Sequence, residues 1–107
     1  MGANPARGEI EVTIDGQAYV LAPEMEGLAS FQGAIGVQGL GPVMALVVAM
    51  DMRAIYHGLK CLAVKGDVDK LAKLSFANGG LATAQGAILK VFEAMGDSSQ
   101  KKADGAT

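Results

Sequence analysis

The clearest pattern in the chain is strict alternation over residues 9–21, EIEVTIDGQAYVL. Ile10, Val12 and Ile14 alternate with Glu9, Glu11 and Thr13, and Gln17 to Leu21 returns with residues that favour strands. Between the two runs stands Asp15-Gly16. This dipeptide suits a two-residue type I′ turn, in which both central residues need positive φ. The turn sets Ile14 opposite Gln17, Val12 opposite Tyr19 and Ile10 opposite Leu21. One face then carries Ile10, Val12, Ile14, Tyr19 and Leu21, and the other Glu11 and Thr13. A lone hairpin is marginal in water, so its apolar face must rest on the remainder of the chain.

Beyond Pro23 the period changes to three and four. Pro23 is expected in the first turn of a helix, with Glu24 and Glu26 complementing the dipole at its start. Leu28, Phe31 and Ile35 form its stripe, and Gly36 ends it. Gly39-Leu40-Gly41-Pro42 reads as a breaker. Periodicity alone does not separate helix from buried strand in the apolar run 43–50. Met44, Ala45, Leu46, Ala49 and Met50 outweigh the three valines, and helix is the reading adopted. Asp51 is expected to cap a third helix, or to be a polar step within one long helix. Its stripe is Met52, Ile55, Tyr56, Leu59, Leu62 and Ala63, with Lys60 and Lys65 at the C-terminal end. Gly66 ends that helix, and Asp67 caps a fourth in which Val68, Leu71, Leu74 and Ser75 line one face. Asn78-Gly79-Gly80 is a stop signal. A last helix runs from near Leu81 through Ala84, Ile88, Val91 and Met95 to Gly96.

Residues 1–8 read as an irregular lead-in. Residues 97–107 hold no apolar side chain larger than Ala and read as a loose tail. The expected fold is α+β and mainly α: a single domain over 9–96, with an N-terminal β-hairpin (9–21) followed by a small bundle of four to five helices over 23–96.

Composition narrows the function classes. The chain has 107 residues, one domain's worth, with 50% apolar residues and only 19% charged ones. A net charge of −2 lacks the positive field that phosphate binding requires, so no nucleic-acid partner is expected. No secretory pattern of charged and then apolar residues opens the chain. Residues 27–50 carry no charge and are long enough to span a bilayer. Their glutamines, glycines and Pro42, and the lack of flanking Lys/Arg clusters, favour a buried segment over a membrane span.

Catalytic chemistry finds little support. His57 and Cys61 stand four apart on one helix face, the spacing of a thiolate–imidazole pair or half a metal site. There is only one His and one Cys, so a four-ligand structural zinc site is out of reach. A Cys among Leu59, Leu62 and Ala63 fits a small core residue instead. Gly33, Gly36, Gly39 and Gly41 match neither the dinucleotide nor the Walker A spacing, and read as a flexible or tightly turned helix connection. Glu9 with Glu11, and Glu24 with Glu26, read as solvated or capping carboxylates. No enzymatic activity, cofactor or metal is expected. The remaining excess is methionine, six residues in all. Such flexible, polarizable side chains fill core gaps, and on a surface they accept varied apolar helices. The candidate partner-binding residues are Met25, Leu28, Leu40, Met44, Met50 and Met52.

The opening Asn4-Pro5-Ala6-Arg7-Gly8-Glu9, running into the alternating strand and Asp15-Gly16, resembles a family of small tail proteins. The similarity continues through the helix bearing Leu28 and Ile35 after Leu21, and ends on Gly80-Leu81-Ala82 leading into the final apolar helix. The family occurs in tailed phages, prophages and gene transfer agents and is classed as tail assembly chaperones. It often has an acidic residue before the Gly closing its first helix, where Gln32 stands near here, and residues 37–65 are more apolar than the pattern. The resemblance implies a protein of the bacterial cytoplasm that binds the apolar, helical tape measure protein during tail tube assembly. It would engage tube subunits as well and be absent from the finished particle, with self-association open. A structural tube or connector subunit is the alternative expectation, and a small membrane-active protein using residues 27–50 a further one.

Overall fold

The fold is that of a computed structural model, which describes residues 2–106, with side chains described through residue 96. Strands β1 (Ile10–Ile14) and β2 (Gln17–Leu21) form the expected hairpin, with Ile14 on Gln17, Val12 on Tyr19 and Ile10 on Leu21. Asp15 and Gly16 both take positive φ, 51° and 76°, as the tight turn requires. Val12, Ile14, Tyr19 and Leu21 are buried in the main core.

Helices α1 (Met25–Ile35), α2 (Leu40–Val48), α3 (Met52–Leu62) and α4 (Gly80–Ala106) follow. The fold is thus α+β, with the helices packed against the hairpin's apolar face. Phe31, Ile35, Val43, Val47, Ile55, Leu59, Leu62, Leu71, Ile88, Val91 and Phe92, with Ala54, Ala84 and Ala87, complete the core. Two glycines permit close helix packing. A Cβ on Gly27 would stand 2.5 Å from the Cys61 carbonyl oxygen, so α1 lies backbone-to-backbone on α3. On Gly58 a Cβ would meet Ile88 at 2.8 Å and Phe31 at 3.0 Å.

Several boundaries differ from the sequence reading, each for a physical reason. Pro23 lies ahead of α1, whose cap is Glu24, so the proline leads the helix in without belonging to its first turn. The four residues Gly39 to Pro42 are not one breaker. Only Gly39, at φ 88°, breaks the chain, and Pro42 sits in the first turn of α2, where its missing N–H goes unused. Gly33 lies inside α1 and Gly41 inside α2, both without positive φ, so the turned connection is confined to the residues between Gly36 and Gly39. α3 stops at Leu62, and Ala63–Lys65 form a third strand, β3, paired with Val20 and Leu21. Pairing with β2 overrides the helical stripe that Ala63 and Lys65 were expected to extend. Val68–Lys73 is a 3-10 helix in place of an α-helix, and Ser75 lies beyond it. Asn4 caps a 3-10 turn at Pro5–Arg7 within the lead-in. α4 does not end at Gly96, which lacks positive φ, and its backbone continues to Ala106. The side chains of residues 97–107, where the loose tail was expected, lie outside the described ones.

No single helix among the described residues is long and apolar enough to cross a membrane. α1 and α2 together would be, but they bend by 68° at the break between them. Their residues Phe31, Ile35, Val43 and Val47 are buried inside the protein.

Candidate functional site: an apolar cleft between α2 and α4

The helix pair α2–α4 leaves an apolar cleft of about 650 Å³, lined by Leu40, Met44 and Val48 of α2 and by Leu89, Phe92, Glu93, Met95 and Gly96 of α4. The α2 residues recur every fourth position and so share one face. Leu40 and Val48 are 40% and 60% exposed, unusual for side chains of their kind grouped on one surface. Phe92 forms the floor, with its ring stacked on that of Phe31 at 6.3 Å and 3° between planes. Glu93 is the one charged residue among the described lining residues.

A polar clamp fixes the cleft's far end. Gln85 Nε2 donates to the carbonyl oxygens of Val47 at 3.0 Å and Val48 at 3.1 Å. Val48 C=O is a C-terminal carbonyl with no backbone donor among the described residues, so the clamp satisfies it, adds a second donor to Val47 C=O and ties α2 to α4. Just beyond, Met50 N–H donates to Val47 C=O and Asp51 N–H to Leu46 C=O, both at 3.0 Å. This is the hydrogen-bond pair of a Schellman end, but its left-handed residue is Met50, at φ 62°, where glycine is usual. Asp51 then caps α3, its Oδ1 accepting from Arg53 N–H at 2.9 Å and Ala54 N–H at 3.1 Å.

The six candidate residues do not share one groove. Leu40 and Met44 line the α2–α4 cleft. Met25, at 80% exposure, and Leu28 line a separate hollow of about 490 Å³ on α1 with Gln32, Gly33 and Val37. Met52 is 62% exposed instead of joining the buried stripe, and borders a hollow with Tyr56, Leu71 and Phe76. Met50 is half-buried in its turn, against the core. The bend between α1 and α2 and the turn at Met50 send neighbouring stretches of sequence in different directions. Sequence reasoning missed Val48, Leu89 and Phe92. Leu89 and Phe92 flank the Ile88–Val91 stripe and widen the apolar arc of α4 beyond what one packing face needs.

His57 packs edge-on to the Tyr56 ring at 5.0 Å, and no hydrogen bond joins it to Cys61 among the described residues. Burial pushes the Cys61 thiol up from its ordinary value, with the Lys60 charge pulling the other way. That is the reverse of what an activated thiolate needs. Among the described residues no group of three or more His, Cys, Asp or Glu could hold a metal ion. The chain matches no family model, no curated protein and no solved structure at a significant level.

Proposed function

We propose that this protein is a tail assembly chaperone of a phage-like particle or gene transfer agent, which covers apolar helical segments of the tape measure protein. The observation that carries the reading is the α2–α4 cleft, an apolar trough of Leu, Met, Val and Phe with one carboxylate, Glu93, among its described lining residues. A groove of that chemistry suits an amphipathic helix, read through apolar anchors at spacings of three, four and seven. Methionine in the lining tolerates varied partner side chains, as a long and irregular helical client demands. The order of elements from Asn4 to the final helix supports the same assignment through its likeness to the tail chaperones.

On this reading the protein works in the host cytoplasm, contacts tube subunits as they polymerise around the client, and leaves before the particle is complete. Two measurements test it. Co-expression should raise the soluble fraction of the tape measure protein, and mass spectrometry of purified particles should not find the chain. Unchanged client solubility would refute the chaperone role, and abundance in particles would mark a structural subunit.

A further inference from the structure

The outer edge of β1 offers a second surface, independent of the α2–α4 cleft. β1 is an edge strand of the sheet, with order β1-β2-β3. In a hairpin with a two-residue turn, the pairs exchanging hydrogen bonds are Ile14–Gln17, Val12–Tyr19 and Ile10–Leu21. The N–H and C=O groups of Glu11 and Thr13 therefore point away from β2. No hydrogen bond to them occurs among the described residues. At one end the edge is closed, since Glu9 N–H donates to Asn4 C=O at 3.2 Å.

Helix α4 runs antiparallel beneath this edge, with Gly80 near Ile14 and Ala94 near Gly8. Between edge and helix lies a groove of about 310 Å³, floored on the helix side by Ala82, Thr83 and Gly86. Gly86 is helical, and a Cβ there would meet nothing within 4 Å. Glycine costs a helix interior about 1 kcal/mol relative to alanine, and neither backbone nor packing within this chain requires it. A large side chain at this position would occupy the groove.

We propose that this groove takes an extended segment of another protein as an added strand, with a basic residue flanked by small apolar ones. Residues of that strand beside Val12 would lie over Ala82 and Gly86, where only small apolar side chains fit. Residues on the opposite face would stand beside Glu11, which is exposed and has no ion pair among the described residues. A second copy of this chain is a poorer occupant. Antiparallel pairing of two β1 edges about Val12 would set Glu9 against Asp15 and gather the acids of both strands on one face. Lys90 bounds the groove toward its closed end, so the segment carries its cation centrally, at Glu11.

The test is an amide NMR titration of the full chain with the blocked peptide acetyl-Thr-Val-Lys-Val-Thr-amide, which reads the same in either strand direction. Saturable shifts are expected at Glu11, Thr13 and residues 82–86. With peptide at ten times its Kd, hydrogen exchange at Glu11 and Thr13 should slow roughly tenfold, because exchange proceeds only from the free fraction. The peptide with Glu in place of Lys should not bind, and Gly86→Leu should abolish binding while the melting temperature holds or rises. Equal binding of the Glu peptide, shifts elsewhere, or full binding by Gly86→Leu would overturn the proposal. Protection of Glu11 and Thr13 that grows with protein concentration alone would overturn it in favour of a second copy.

Discussion

Replacing Gly27 by alanine sets two effects of one methyl group against each other. Alanine favours helix by up to about 1 kcal/mol, and by less in a first turn, where Gly27 lies. Against this, the new Cβ would stand 2.5 Å from the Cys61 carbonyl oxygen. It would fall short of an ordinary contact by about 0.9 Å, and the obstacle is backbone, which cannot rotate aside. Overpacking of this kind costs about 1–3 kcal/mol, so Gly27→Ala should destabilise by about 1–2 kcal/mol. In a domain near 100 residues that lowers the melting temperature by about 5–10 °C. Gly33→Ala, on the same helix, is the control. Its Cβ meets nothing within 4 Å, so it should stabilise by up to about 1 kcal/mol. Urea unfolding followed by circular dichroism measures both, and the denaturant slope should not change. Equal effects of the two substitutions, or a Gly27→Ala protein more stable than wild type, would mean that α1 and α3 do not touch at Cys61.

Three further outcomes follow from particular contacts. Asp51→Ala removes the acceptor for Arg53 and Ala54 N–H and should cost about 1 kcal/mol in thermal unfolding. Met50→Gly and Met50→Ala lose the same packing, but only alanine keeps a side chain in the left-handed region, so the glycine variant should be the more stable by about 1 kcal/mol. Burial, and secondarily the Asp67 charge, raise the Tyr19 phenol above its ordinary value of 10.0. The stability this gives is whole below pH 10 and is lost as pH rises through the higher folded-state value. Tyr19→Phe also loses the hydrogen bond to the Asp67 carbonyl at 2.9 Å, roughly 1 kcal/mol. Its deficit against wild type in urea midpoints should therefore hold steady to about pH 10 and shrink beyond it.

The hairpin was legible to the residue because its signals are local: alternation, then a dipeptide suited to two successive positive φ angles. Gly36 as the end of α1 and Asp51 as the cap of α3 were legible on the same grounds. β3 was not, since Ala63 continues the helical stripe and Lys65 suits a helix C-terminal end, and only pairing with Val20 and Leu21 makes the segment a strand. The 3-10 helix does leave a trace in the sequence. Val68, Leu71 and Leu74 recur every third residue, its own period, and Leu71 is the one that buries. The cleft was half legible. Leu40 and Met44 stand out as apolar residues just before and within the apolar run, but Leu89 and Phe92 reach the cleft from 40 or more residues away, and only tertiary packing brings them there.

The most direct test of the partner reading is co-purification of the tape measure protein with this chain, wild type against Val48→Asp. Val48 is 60% exposed, so a carboxylate there leaves the core intact and the melting temperature close to wild type, while placing an unpaired charge in the cleft. The cleft reading predicts that wild type carries the client through purification and that Val48→Asp does not. Undiminished capture by a folded Val48→Asp protein would contradict it.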